Sequence, residues 1–144
     1  MDKKRYAENM PYWKSGKSQP ESWILKAKEE IKAAGGIGIG DGFLDYAGQA
    51  AFMLTFRLGE DVFKVMWPVM ESKTGNALAA RRQAATMLYH DVKAKCVSAR
   101  VLGVRKSFFS YLVLGDGRVV SDIGTSDLTT EINQYLLPMQ IEAR

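Results

Sequence analysis

QAAFMLTFRLGEDVFKVMWPVM, residues 49–70, is the stretch that decides the fold. Phe52, Leu54, Phe56 and Leu58 alternate with Met53, Thr55 and Arg57. Successive side chains of an extended chain point to opposite faces, so this spacing predicts a strand with one apolar face. Gly59 to Asp61 supply a tight turn, and Val62 to Trp67 return as a second strand. Pro68 has no N–H to give to a ladder, which ends that strand. An antiparallel hairpin with one apolar face needs a cover, and the following residues offer one.

From Asn76 or Ala77 to about Leu102 the apolar period becomes helical. With residues about 100° apart, Ala85, Leu88, Val92, Cys96 and Ala99 gather on one side, the face expected to meet the sheet. Ahead of the hairpin, Glu21 to Ala34 predicts a helix through the spacing of Ile24, Ala27, Lys28 and Ile31, started by Pro20 and stopped by Gly35 and Gly36. GIGIGDGFLDYAG, residues 36–48, predicts a flexible loop leading to an edge strand at Phe43 to Tyr46. SFFSYLVLGDGRVVSD, residues 107–122, predicts two strands about a Gly115-Asp116-Gly117 turn. Asp127 suits the N-cap of a last short helix, with Leu128, Ile132, Tyr135 and Leu136 on one side, ending before Pro138. Residues 1–20 show no sustained period and predict an arm whose Tyr6, Tyr12 and Trp13 dock on the body of the protein or on a second subunit, with docking between subunits the prediction. The expected architecture is a single α+β domain over residues 21–144. In it an antiparallel sheet, a three-stranded unit plus a C-terminal hairpin, packs on one long helix in the order α-β-β-β-α-β-β-α.

A chain of 144 residues with 47% hydrophobic residues suits one domain around one core. Its net charge of +4 is unevenly spread. Residues 1–72 carry ten basic and ten acidic groups, residues 73–106 eight and one, and residues 107–144 two and five. The positive excess therefore sits on the long helix and the loops at its ends. A lone Cys96 can make no intrachain disulfide, and no apolar signal core opens the chain, which together predict a reducing, cytoplasmic setting. The apolar runs are too short to cross a bilayer.

Two nucleotide-binding look-alikes fail on context. In GGIGIGDG the glycines follow a helix and recur at every second residue, whereas a dinucleotide fingerprint turns from a strand into a helix. Gly16-Lys17-Ser18 has Pro11 where a phosphate-binding loop needs its first glycine. Catalytic groups are scarce. His90 and Cys96 lie about 120° apart on one helix and cannot act as a pair. Asp41 and Asp45 are too few to hold a metal. No enzyme activity, cofactor or metal is expected.

The long helix has a second face. Arg82, Tyr89, Lys93 and Arg100 fall within about 20° of one line, and no acid interrupts them. Such a row spaces cations roughly 10 to 16 Å apart, suited to following phosphates, and Tyr89 offers a surface for a base. Arg81 adjoins the row; Lys73 and Thr74 before the helix and Arg105 and Lys106 after it extend the basic patch, the former beside N–H groups that favour an anion.

A helix, a three-stranded antiparallel unit and a long helix with a basic beginning resembles the double-stranded RNA-binding domain, in which Lys73, Arg81 and Arg82 would match the lysines that meet phosphates. The order is also similar to the β-β-β-α core of single-strand annealing recombinases, which hold single strands in a basic groove. Both likenesses rest on element order and charge over residues 21–106, without a signature motif. The resulting expectation is a non-enzymatic nucleic-acid-binding protein that binds single-stranded DNA first, and duplex RNA or DNA second. Lys73, Arg81, Arg82, Tyr89, Lys93, Arg100, Arg105 and Lys106 would form the contact surface, in strand protection or annealing. A protein-interaction or assembly module of a phage or other mobile element, able to form homo-oligomers through the arm, is the alternative.

Overall fold

The computed structural model describes residues 4–13, 17–46 and 48–123; the helix expected after Asp127 lies outside them. Helix α1 (Pro20–Ala33) leads to strands β1 (Ile37–Tyr46), β2 (Gln49–Leu58) and β3 (Asp61–Pro68), then to helix α2 (Ala77–Leu102) and the single turn α3 (Val104–Ser107). The strands form one antiparallel sheet in the order β1-β2-β3. This is an α+β fold, and its α-β-β-β-α order is the expected one.

The alternation in β2 does what its period requires. Phe52, Leu54, Phe56 and Leu58 are buried under the helices, and the register sets Leu54 opposite Val65 and Phe56 opposite Phe63. From the other layer come Ile24, Ala27 and Ile31 of α1 and Ala85, Leu88, Val92 and Cys96 of α2, all in the same core. Each large side chain removed from water contributes about 1.5–3 kcal/mol to holding the two layers together. Contacts between the helices advance in the same direction along both: Ser18 meets Arg82, Trp23 meets Tyr89, and the Glu30 carbonyl meets Cys96. The helices therefore lie side by side and parallel on one face of the sheet.

The helix bounds agree closely with their signals. Asn76 accepts the Ala79 N–H at 3.1 Å and so caps α2. Gly36 is dictated by space, since a Cβ there would lie 2.6 Å from Ile31 Cγ2 and 2.9 Å from the Arg57 carbonyl oxygen.

Two expectations are corrected. The glycine-rich stretch is not a loop: β1 begins at Ile37 and pairs along β2, with an irregularity between Gly38 and Gly40. Its alternation of glycine with isoleucine has the period of a strand, and hydrogen bonds to β2 outweigh the low strand propensity of glycine. The C-terminal hairpin does not form as two strands. The chain instead makes α3, then a short 3-10 turn at Phe109–Tyr111. Phe108 between them is fully buried against Phe56 and Phe63, with ring centroids 5.5 Å from each. That anchor sets the path, and pairing is reduced to isolated bridges of Leu112 with Phe63 and of Val113 with Val119. The Gly115-Asp116-Gly117 turn survives, with Leu114 N–H donating to the Arg118 carbonyl at 2.7 Å. Among the described residues, no helix is long and apolar enough to cross a membrane.

Candidate nucleic-acid interface

The arm is folded back on its own chain. Gln83, buried in α2, directs its side-chain amide at the carbonyls of Ala7 (2.7 Å), Pro11 (3.0 Å) and Met10 (3.4 Å). Ala7 is fully buried, and its N–H donates to the Glu71 carbonyl at 2.8 Å. Glu8 enters the loop before α2, where its carboxylate accepts from the Lys73 N–H at 2.9 Å, the Ser72 hydroxyl at 2.6 Å and the Thr74 hydroxyl at 3.0 Å. Desolvation alone would raise its pKa, but these hydrogen bonds prevail and lower it to about 2. The anion position expected at Lys73 and Thr74 thus exists and is filled by the chain's own carboxylate. Within the chain the arm's Tyr6 lies near Lys73 and its Tyr12 stacks on His90, which is docking on the body of the protein, one of the two expected modes.

Four aromatic rings meet where the arm crosses the seam between α1 and α2. Tyr12 and His90 are parallel at 4.9 Å; Tyr89 lies 5.0 Å from His90 and 5.4 Å from Trp23. Tyr12 holds a left-handed backbone with φ of 67°, a conformation that costs a non-glycine residue energy and is fixed here by its stack and by the grip of Gln83 on Pro11. Cations flank the rings on both helices. Lys26 Nζ sits 4.3 Å from the Trp23 ring centre and Lys93 Nζ 5.8 Å from that of Tyr89.

The eight residues expected to form the surface divide accordingly. Lys93 and Arg100 are exposed on α2, and Lys106 is exposed on α3. Arg82 is half-buried, and its Nε donates to the Ser18 carbonyl at 2.6 Å. Arg81 lies over the Phe43 ring at 4.9 Å, on the β1 side of the helix. Arg105 is committed to Asp61 through two hydrogen bonds of 2.8 Å, and this pairing depresses the Asp61 carboxyl below its ordinary range. Tyr89 is half-buried against Trp23, so it presents an edge of a cluster and not a free ring. Lys73 stands at the arm.

Sequence reasoning missed Trp23, Lys26 and His90 as members of the aromatic cluster. The signal was available: Trp23 and Lys26 are three apart on α1, and Tyr89 and Lys93 four apart on α2, the spacings at which helical neighbours touch. It was the parallel packing that brought the pairs together.

For chemistry on covalent bonds the site offers little. His90 is enclosed by rings, and burial, reinforced by the Glu30 charge, pushes the Cys96 thiol up, away from the reactive thiolate. Asp91, the one acid on α2, is held by Lys95 at 3.0 Å and by the Tyr111 hydroxyl. Among the described residues, no three His, Cys, Asp or Glu side chains gather as a metal site. What the seam brings together is a cluster of aromatic rings, stacked on one another, with two lysine ammonium groups over them. Comparison with known proteins adds no relative: no family model, no curated protein and no solved structure matches the chain.

Proposed function

We propose that the chain is a non-enzymatic nucleic-acid-binding protein that takes single-stranded DNA along the seam of α1 and α2. The observation that carries this reading is the aromatic cluster of Tyr12, Trp23, Tyr89 and His90 with Lys26 and Lys93 over its rings and Arg100 further along α2. A single strand presents both unpaired bases, which stack on aromatic surfaces, and a phosphate on every nucleotide; a duplex hides its bases. Strand protection or annealing calls for no catalytic group, in keeping with the positions of His90 and Cys96.

The test is titration with single-stranded DNA, duplex DNA and duplex RNA at two salt concentrations. Single strands should bind tightest. Replacing Lys26, Lys93 and Arg100 together by Gln should flatten the log-log salt slope by about 2, at about 0.7 per lost phosphate contact. Absence of oligonucleotide binding at low salt, or an unaltered slope in the folded triple variant, refutes the reading. The exposed apolar side chains of β1 favour a second reading, a protein-interaction or assembly module. That module would bind no oligonucleotide with a steep salt dependence.

A further inference from the structure

Strand β1 is ten residues long, and its outer side meets no strand among the described residues. The N–H and C=O groups along that side form a row that another extended chain can pair. It has no Lys, Arg or Pro to discourage such pairing, and its one interruption is the irregularity between Gly38 and Gly40. Its isoleucines are nonetheless in solvent, Ile37 66% and Ile39 56% exposed, and Phe43 and Tyr46 remain 43% and 41% exposed beside their contacts with Phe52 and Asp122. The chain's own packing does not explain its glycines: a Cβ added at Gly38, Gly40 or Gly42 would meet nothing within 4 Å. Glycine inside a strand weakens it, and is retained where another backbone approaches or a neighbour's large side chain covers the gap.

We propose that β1 joins two copies of this chain, edge to edge and antiparallel, into one six-stranded sheet. The strand is complementary to itself only in that sense. Its first half is glycine-rich and its second half carries Phe43, Leu44 and Tyr46, so a twofold axis near its middle lays the bulky half of each copy against the glycine half of the other. Charge agrees at the ends of the pairing, and the two Asp41 carboxylates beside the axis are each neutralised by the Lys28 of their own chain. The only charges on β1 are Asp41 and Asp45, while Lys28 and Lys32 of α1 line hollows of 290 and 300 Å³ along the groove above it. Lys28 already holds Asp41 of its own chain at 2.9 Å. Lys32 lines the hollow beside Gly36 and Gly38, the end that the partner's Asp45 would reach; in its own chain that carboxylate accepts the Gly48 N–H at 2.9 Å.

The inference does not depend on nucleic acid, and its test uses the full chain alone. Light scattering over a wide concentration range should show the mass rise from 16.0 kDa to twice that value. Amide exchange of residues 37–46 in the unaltered protein should slow in step. The double variant Ile37→Lys, Ile39→Lys changes only exposed side chains and should remain at single-chain mass with its far-ultraviolet dichroism intact. A single-chain mass at every concentration would overturn the proposal. So would a doubled mass that persists in the folded double variant, or β1 protection independent of concentration, which would assign the edge to a contact within one chain.

Discussion

Glu8 and Gln83 hold the arm by different means, and each makes a separate prediction. Gln83 is 1% exposed, and its amide serves three carbonyls of the arm. Gln83→Leu keeps the volume and strands those acceptors, so it should cost about 1–3 kcal/mol, read by denaturant unfolding, and increase amide exchange in residues 4–13. Glu8 acts through charge. Its folded pKa of about 2 lies below the ordinary 4.5, so the carboxylate favours the docked arm fully above the ordinary value, and that contribution is lost as pH falls from there through about 2. Exchange and tyrosine signals of the arm should change over that interval in the native protein and not in Glu8→Gln. Neither residue was legible in the sequence. A glutamine in a basic helix and a glutamate in a charged arm carry no local pattern; their partners are 72–76 and 64–66 positions away, a separation only the fold can close.

Periodicity explains which elements could be read in advance. β2 alternates cleanly and α2 keeps a buried side in line from Ala79 to Cys96, so the existence of both elements followed from geometry. β1 was hidden by its composition, since glycine argues for a loop wherever tertiary pairing is unknown. The stretch after α2 misled for the opposite reason. SFFSYLV has strand-forming residues, yet Phe108 is worth more as a plug between Phe56 and Phe63 than as a member of a ladder. Two neighbours differ sharply here: Phe108→Ala should destabilise by about 3–5 kcal/mol, whereas Phe109→Ala, at a half-exposed ring, should cost much less. Comparable losses in chemical denaturation would mean that the anchor has been misassigned.

At the scale of the whole molecule, the α-β-β-β-α order and the concentration of positive charge were legible, while the pairing of α1 with α2 was not. The basic line drawn on α2 treated that helix as if it stood alone. Packing α1 alongside brings in Trp23 and Lys26, withdraws Arg82 to the arm, and leaves Arg105 paired with Asp61. Tyr89→Ala should accordingly weaken single-strand binding through loss of the cluster that it supports. The expected cost is about 1–3 kcal/mol with the salt slope nearly unchanged, measured in the same titrations. An equal loss from removal of Arg105 would place the contact elsewhere.

The parallel course of α1 and α2 has an electrical consequence. Each helix carries roughly half a positive charge at its N-terminal end and half a negative charge at the other. Antiparallel neighbours cancel these moments, but here they add, giving the single chain a permanent electric dipole along the helices, with the Glu8 carboxylate seated near its positive pole. Two copies joined through β1 by a twofold axis perpendicular to the sheet would point those moments in opposite directions. Assembly would then extinguish the in-plane dipole of the protein, and dielectric relaxation would register the change as a loss of signal while the mass doubled.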